Sequence, residues 1–239
     1  MAFGLSTSNN SNELTLSSDG LLFGYIGRAT FQSLVANETT TADAFSGYSI
    51  YTITWPTDIV VAIGLDVGAG RVAFRSQTQS GSTWTITVYR TGNTLDGLGF
   101  YDQAAANVYV WGLPTTVSGF GMAIYNAAGV LTGDLTRRPL VAAARIAMPS
   151  TVTSIPMPAV SVPAMIGDAG RSQNQSVRPG ASFWINRRRH GAWQWDTSPV
   201  PPQLVRTTFQ REYSQEDGGI PVTNVVIDTN ALLIEAAGL

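Results

Sequence analysis

The stretch YSIYTITWPTDIVVAIG, residues 48–64, followed by VAFRSQTQSGSTWTITV, residues 72–88, decides the fold class of this 239-residue chain. Tyr48 and Ile50, then Ile59, Val61 and Ile63, recur at every second position, with Pro56-Thr57-Asp58 as the turn between the two arms. Val72 and Phe74, then Trp84, Ile86 and Val88, continue the pattern across Ser80-Gly81-Ser82. A period of two sends alternate side chains to opposite faces of a strand, and β-branched and aromatic residues pack well on that pleated surface. Asp66-Val67-Gly68-Ala69-Gly70 is a further turn, so breaks recur at the spacing of a sandwich or barrel. The expectation is an all-β fold of antiparallel β-sandwich domains with long loops. No stretch before residue 100 carries a convincing helical period, and Tyr101 to Ala106 is long enough for one helical turn.

Working outward from this stretch, Asp19-Gly20 is a turn, Leu21 to Ile26 a buried strand and residues 36–47 a polar loop. On the C-terminal side, residues 149–180 change character. Pro149, Pro156, Pro158 and Pro163 each remove a ladder donor, and proline is excluded from central strands. This part reads as a Pro-rich extended arm lying on another surface, followed by a polar loop from Gly167 to Ser176. Strand signals resume at Ala181 to Arg189, Leu204 to Tyr213 and Val222 to Ile227. Residues 230–239 carry no charge except Glu235, which suits a tail docked on its own domain or on a neighbouring subunit.

A short phrase occurs twice. Phe3-Gly4-Leu5, Asn9 and Leu14-Thr15 match Phe120-Gly121-Met122, Asn126 and Leu131-Thr132, every pair 117 positions apart. In each copy an aliphatic arm enters a turn, Asn9-Asn10-Ser11-Asn12 or Asn126-Ala127-Ala128-Gly129, and a second arm leaves it. Asn and Gly tolerate the left-handed conformations that hairpin turns require. Duplicated hairpins at this separation predict two β domains. The first spans residues 1–118; the second, 119–239, carries the Pro-rich arm (149–180) and a Trp/Arg hairpin (183–195).

The phrase also carries a resemblance. FGLSTSNNSNELTLSSDGLLFGYIG (residues 3–27) and FGMAIYNAAGVLTGDLTRRPL (residues 120–140) resemble the YGL-x-VYN-x-xG-x-L-x-F-D-S hairpin of small tail-tip and tail-fibre-associated structural proteins of long-tailed bacteriophages. Val108 to Pro114 is similar to the VYVF-x-x-P strand that precedes the second hairpin in that family. The similarity covers roughly residues 1–145 and the strand Val225 to Asp228; Ser6-Thr7-Ser8 departs from it, standing where an apolar arm is expected. The resemblance implies a structural component of a tail tip, tail fibre or baseplate, residing in the virion after synthesis in a host cytoplasm. The implied partners are other tail proteins (hub and fibre), further copies of the chain with a trimer favoured, and a host surface receptor. No enzymatic activity and no cofactor are expected.

Composition narrows the classes. Charged residues make up 13% of the chain, about half the usual share, so Ser, Thr, Asn and Gln supply much of the polar surface. All 14 basic residues are arginine, whose weakly hydrated guanidinium favours interfaces. A net charge of −2 gives no reason to expect nucleic acid as the main partner. The absence of cysteine excludes disulfides, thiolate metal sites and cysteine nucleophiles. No signal peptide is read at the N-terminus, and no apolar run approaches the roughly 20 residues that span a bilayer, so membrane insertion is not expected.

Motifs for catalysis are missing. His190, the single histidine, sits in Arg187-Arg188-Arg189-His190-Gly191 and reads as turn-adjacent; no nucleophile-elbow signature accompanies it. Asp58, Asp66 and Asp96 stand beside turn residues, as does Glu216-Asp217-Gly218-Gly219. Asp102, Asp196, Glu212 and Asp228 are not singled out as a pair of the kind that cleaves glycans. Asp66 to Gly70 lacks the repeated oxygen ligands of a calcium loop and the helix of a dinucleotide fingerprint.

The stretch Phe183 to Trp195 holds three of the six tryptophans, interleaved with three arginines. If it turns at His190-Gly191-Ala192, alternation places Trp193 and Trp195 on one face. Aromatic residues and arginine dominate protein interfaces and sugar-stacking sites. Trp184, Arg187, Arg188, Arg189, Trp193 and Trp195 are therefore the expected subunit or partner interface. The competing expectations are a core hairpin with a buried Trp face, and a carbohydrate-binding β-sandwich module that uses this hairpin as its sugar platform.

Overall fold

The computed structural model describes residues 6–8, 14–17, 21–39, 43–65, 70–95, 101–103, 105–116, 122–180 and 182–239. All regular elements among them are strands. The first group is β1 (Ser6–Ser8), β2 (Leu14–Ser17), β3 (Gly24–Arg28), β4 (Thr30–Val35), β5 (Glu38–Thr39), β6 (Asp43–Phe45), β7 (Tyr48–Thr54) and β8 (Ile59–Gly64). Then come β9 (Arg71–Ser80), β10 (Thr83–Leu95), β11 (Tyr101–Gln103), β12 (Val108–Gly112), β13 (Ala123–Tyr125), β14 (Leu131–Asp134) and β15 (Ala144–Met148). The last are β16 (Ser154–Pro156), β17 (Pro163–Ile166), β18 (Arg171–Val177), β19 (Trp184–Asp196), β20 (Gln203–Glu216), β21 (Thr223–Val226) and β22 (Thr229–Glu235).

Two antiparallel sheets pack face to face. The smaller has the order β15-β22-β17-β8-β12-β3; the larger runs β4-β7-β10-β9-β19-β20-β6-β5, with β11, β16, β18 and β21 attached to its strands. Between them lies the main core, where Ile59, Val61, Ile63, Val108 and Val110 of one sheet meet Tyr51, Trp84, Ile86, Val88 and Trp193 of the other. Each such side chain contributes about 1.5–3 kcal/mol of burial. The smaller sheet is covered on its other face too. Tyr109, Trp111, Ala164 and Ile234 lie under Phe23, Tyr25 and Leu140, which is why IVVAIG and VYVWG are continuous apolar runs rather than clean alternations.

The duplicated phrase folds as expected. β1 pairs β2 through Ser6↔Ser17, Thr7↔Leu16 and Ser8↔Leu14, with a bulge between Thr7 and Ser8. β13 pairs β14 through Ala123↔Asp134, Ile124↔Gly133 and Tyr125↔Leu131, with a bulge between Ile124 and Tyr125. Adding 117 to every residue of the first ladder reproduces the second, bulge included. Residues 3–5, 9–13 and 120–121 of the two copies lie outside the described residues. In the second turn, the Asn126 carboxamide accepts from the Ala128 and Val130 amides (3.0 and 2.9 Å), and Gly129 takes φ +77°.

The hairpins do not open two separate domains. β8 hydrogen-bonds to β17, β9 to β19, and β6 to β20, so a boundary at residue 118 would cut both sheets and the core between them. Proximity in sequence misled here, because a sandwich gains its ladder bonds from strands far apart in the chain. The Pro-rich stretch is extended, and the surface it lies on is its own sandwich. It supplies β16 and β17, and β17 is an interior strand. Pro163 is the first residue of β17, where a missing donor is tolerated, and its carbonyl accepts from the Leu65 amide (2.8 Å). The polar run read as a loop forms β18, and Tyr101 to Gln103, read as a helical turn, form β11. Parity in β7 is also reversed. Tyr51 and Ile53 face the core, opposite Ile86 and Trp84, which leaves Tyr48 and Ile50 on the other face.

Residues 184–196 form one unbroken strand. No turn occurs at His190-Gly191-Ala192; β19 pairs with β20 along its whole length, and the chain reverses between Asp196 and Gln203. Ser198 donates its amide to the Asp196 carboxylate (2.9 Å) in that reversal. The inward face of β20 carries Arg206, only 1% exposed, which donates to the carbonyls of Met148 (2.5 Å) and Ile227 (2.9 Å). It ties the larger sheet to β15 of the smaller one and to the turn between β21 and β22.

Candidate functional site

The outer face of the larger sheet carries the main concentration of ionisable and aromatic groups described. Its geometry follows from two β-bulges. In the β9–β10 ladder Thr87 faces Ser76 and Val88 faces Phe74, so Arg75 is the extra residue. In the β19–β20 ladder Arg188 faces Glu212 and Arg189 faces Gln210, so Arg211 is the extra residue. A bulge re-aims side chains that strict alternation would send to opposite faces. Both bulged arginines line one open cleft of about 690 Å³, together with Tyr48, Phe74, Tyr89, His190 and Glu212.

The floor of the cleft is ordered by contacts between these groups. The Arg75 guanidinium lies 3.5 Å from the centroid of the Tyr48 ring and 5.7 Å from that of Tyr89. Tyr89 packs on Phe209 at 4.8 Å, and the His190 ring stands 5.9 Å from Phe209. Ala73 and Ala192, small residues on the two strands between Tyr89 and Phe209, leave room for the rings to meet. Glu212 is held at both oxygens. Arg188 donates to Oε2 at 2.7 Å, and Arg211 is in close contact with Oε1. Burial pushes the Glu212 carboxyl up, but the hydrogen bonds and charges of Arg188 and Arg211 outweigh it and hold the group below the usual carboxylate range.

His190 Nε2 lies 3.8 Å from Asp168 Oδ2, on the turn between β17 and β18. Burial lowers the imidazole pKa; the Asp168 charge opposes that and the Arg211 charge reinforces it, with a net downward shift. His190 is thus neutral near pH 7 and presents one donor and one acceptor. Ser46, on the cleft wall, donates its hydroxyl to the Gln210 carbonyl (2.6 Å), so its proton is committed to the main chain rather than to His190. The arrangement offers paired, oriented polar groups and ring faces, which is the chemistry of binding. Among the described residues no cluster of three or more His, Asp or Glu side chains is placed to hold a metal, and no helix is long and apolar enough to cross a membrane.

The expected Trp/Arg interface is divided among three environments. Trp193 belongs to the core. It is 2% exposed, packs between the sheets and donates its indole N–H to the Gly167 carbonyl (3.1 Å), so within this chain its ring has no face left for a neighbour. Trp195 is half-buried at the fringe of the same core. Trp184 is half-buried at the other end of β19, with the Arg178 guanidinium 5.6 Å above its ring. Alternation splits the arginine triplet. Arg188 reaches Glu212, Arg189 donates to Gln173 (2.9 Å) on β18, and Arg187 is half-buried opposite Tyr213.

The sequence reading missed Tyr48, Tyr89, Arg75 and Arg211 as members of one site. Period two alone would place Tyr48 and Tyr89 on outward faces once the parity of β7 is known; the bulges leave no comparable mark. Comparison with protein-family models, curated proteins and solved structures returns no significant match.

Proposed function

We propose that this chain is a structural component of a bacteriophage tail tip, tail fibre or baseplate, resident in the virion and working by protein–protein binding without catalysis. The observation that carries the reading is the second hairpin. Its phrase is the better match to the tail-protein motif, and its ladder repeats the first hairpin's register and bulge. It also presents apolar side chains to solvent, with Met122 58%, Tyr125 47% and Val130 56% exposed, in a chain where charge is scarce. Clustered exposed apolar residues mark contact sites. The partners are tail hub or fibre proteins and further copies of the chain, a closed trimer being the favoured assembly.

The test is to raise antibodies against the purified chain and label phage particles released from the strain that encodes it. Gold at the distal tail supports the reading. Purified virions that lack the chain by mass spectrometry overturn it. Sedimentation of the wild type against Val130→Asp checks whether the hairpin face takes part in assembly.

A further inference from the structure

The cleft between the two bulges combines features that select a ligand class. Phe45 and Phe74 line it and are 47% and 38% exposed, so part of each aromatic residue is open to solvent. Between them the charges balance, with three guanidinium groups (Arg75, Arg188 and Arg211) set against three carboxylates (Glu38, Asp168 and Glu212) beside a neutral His190. Such a balance leaves no surplus of either sign for a strongly ionic ligand. A phosphate-rich or polyanionic ligand calls for several uncompensated basic groups.

We propose that this cleft is a binding site for a neutral saccharide. A sugar ring has an apolar C–H face that packs on an aromatic ring, and hydroxyls that each donate and accept. Arginine N–H groups, carboxylate oxygens and a neutral imidazole satisfy such hydroxyls from both sides. The planar groups are fixed by one another and by the sheet, so little ordering is lost on binding. The cleft volume lies within the range of small-ligand sites, about 300–1,000 Å³, which fits a short oligosaccharide rather than a protein segment. The site moves the sugar-binding expectation from the tryptophans, where Trp193 is buried, to the opposite face of the same strands. It stands apart from the assembly reading, since a chain missing from virions can still bind sugar and a tail component need not.

Saturation-transfer NMR and calorimetry on the full chain test it, with oligomers of glucose, mannose, galactose and N-acetylglucosamine as neutral probes and sialyllactose and inorganic phosphate as charged ones. Each is used at about 10 mM, where a site with a Kd near 1 mM is about nine-tenths filled. The expected result is transfer to at least one neutral oligomer, with affinity about tenfold weaker in Phe74→Ala and in Glu212→Gln while both variants keep the wild-type circular dichroism. Phe45→Ala serves in place of either variant that misfolds. Silence of every neutral probe overturns the proposal. So does a neutral ligand whose affinity the folded variants leave unchanged, and so does preference for sialyllactose or phosphate.

Discussion

Replacing Trp193 by alanine separates a core residue from an interface residue. The indole is 2% exposed and packs between the two sheets. Burying a tryptophan removes about 150–250 Å² from water, worth at most about 4–6 kcal/mol at 25 cal/mol per Å². Alanine keeps the Cβ share, and partial collapse of the cavity recovers some of the rest, which brings the cost to about 3–5 kcal/mol. The lost N–H bond to the carbonyl of Gly167, an exposed turn residue, is a small addition to this. For a chain of this size each kcal/mol shifts the midpoint by about 2–4 °C, so Tm should fall by about 6–20 °C. Urea and thermal melts followed by circular dichroism measure this, with sedimentation at two protein concentrations alongside. Trp184→Ala, at a half-buried ring, should cost about 1–2 kcal/mol. An unchanged melt for Trp193→Ala together with lost self-association would refute the reasoning and place the ring against a neighbour.

Four further outcomes follow from the packing and the charges. Arg206→Met should lower stability by about 1.5–3 kcal/mol in urea, because the carbonyls of Met148 and Ile227 lose a charged donor; equal or greater stability would show that the buried guanidinium is dispensable. Gly112→Ala drives a methyl group into the Trp55 indole and should cost about 1–3 kcal/mol, with a changed near-ultraviolet spectrum; a silent substitution counts against that contact. The carboxyl of Glu212 titrates lower in the folded chain than in the unfolded one. Its contribution is therefore full above the ordinary carboxylate pKa and is lost as pH falls through the lowered value. Glu212→Gln should flatten that acid limb of the stability profile. His190 is also depressed, so the unfolded chain takes up its proton first and stability drops as pH falls below the ordinary histidine range. His190→Gln should remove that slope and leave the rest of the profile in place.

The local features were legible from residue order. Ile59, Val61 and Ile63 of β8, and Trp84, Ile86 and Val88 of β10, line the core as alternation requires, because strand period is a property of the backbone alone. The two hairpins were legible down to their common offset, since turn chemistry at Asn126 and Gly129 acts within a few residues. Long-range pairing was not legible. Residues 163–166 and 59–64 become neighbours because the sandwich must close its core, and no local signal in a Pro-rich run announces that partner. The same holds for Trp193, whose indole is a good interface residue and a good core residue; only the sheet opposite it makes the choice. The cleft depends on tertiary structure most of all. Arg75 and Arg211 stand 136 positions apart in the sequence, and they meet over one face because each is the unpaired residue of a bulge. A bulge arises from how two strands fit each other rather than from the residues of either one.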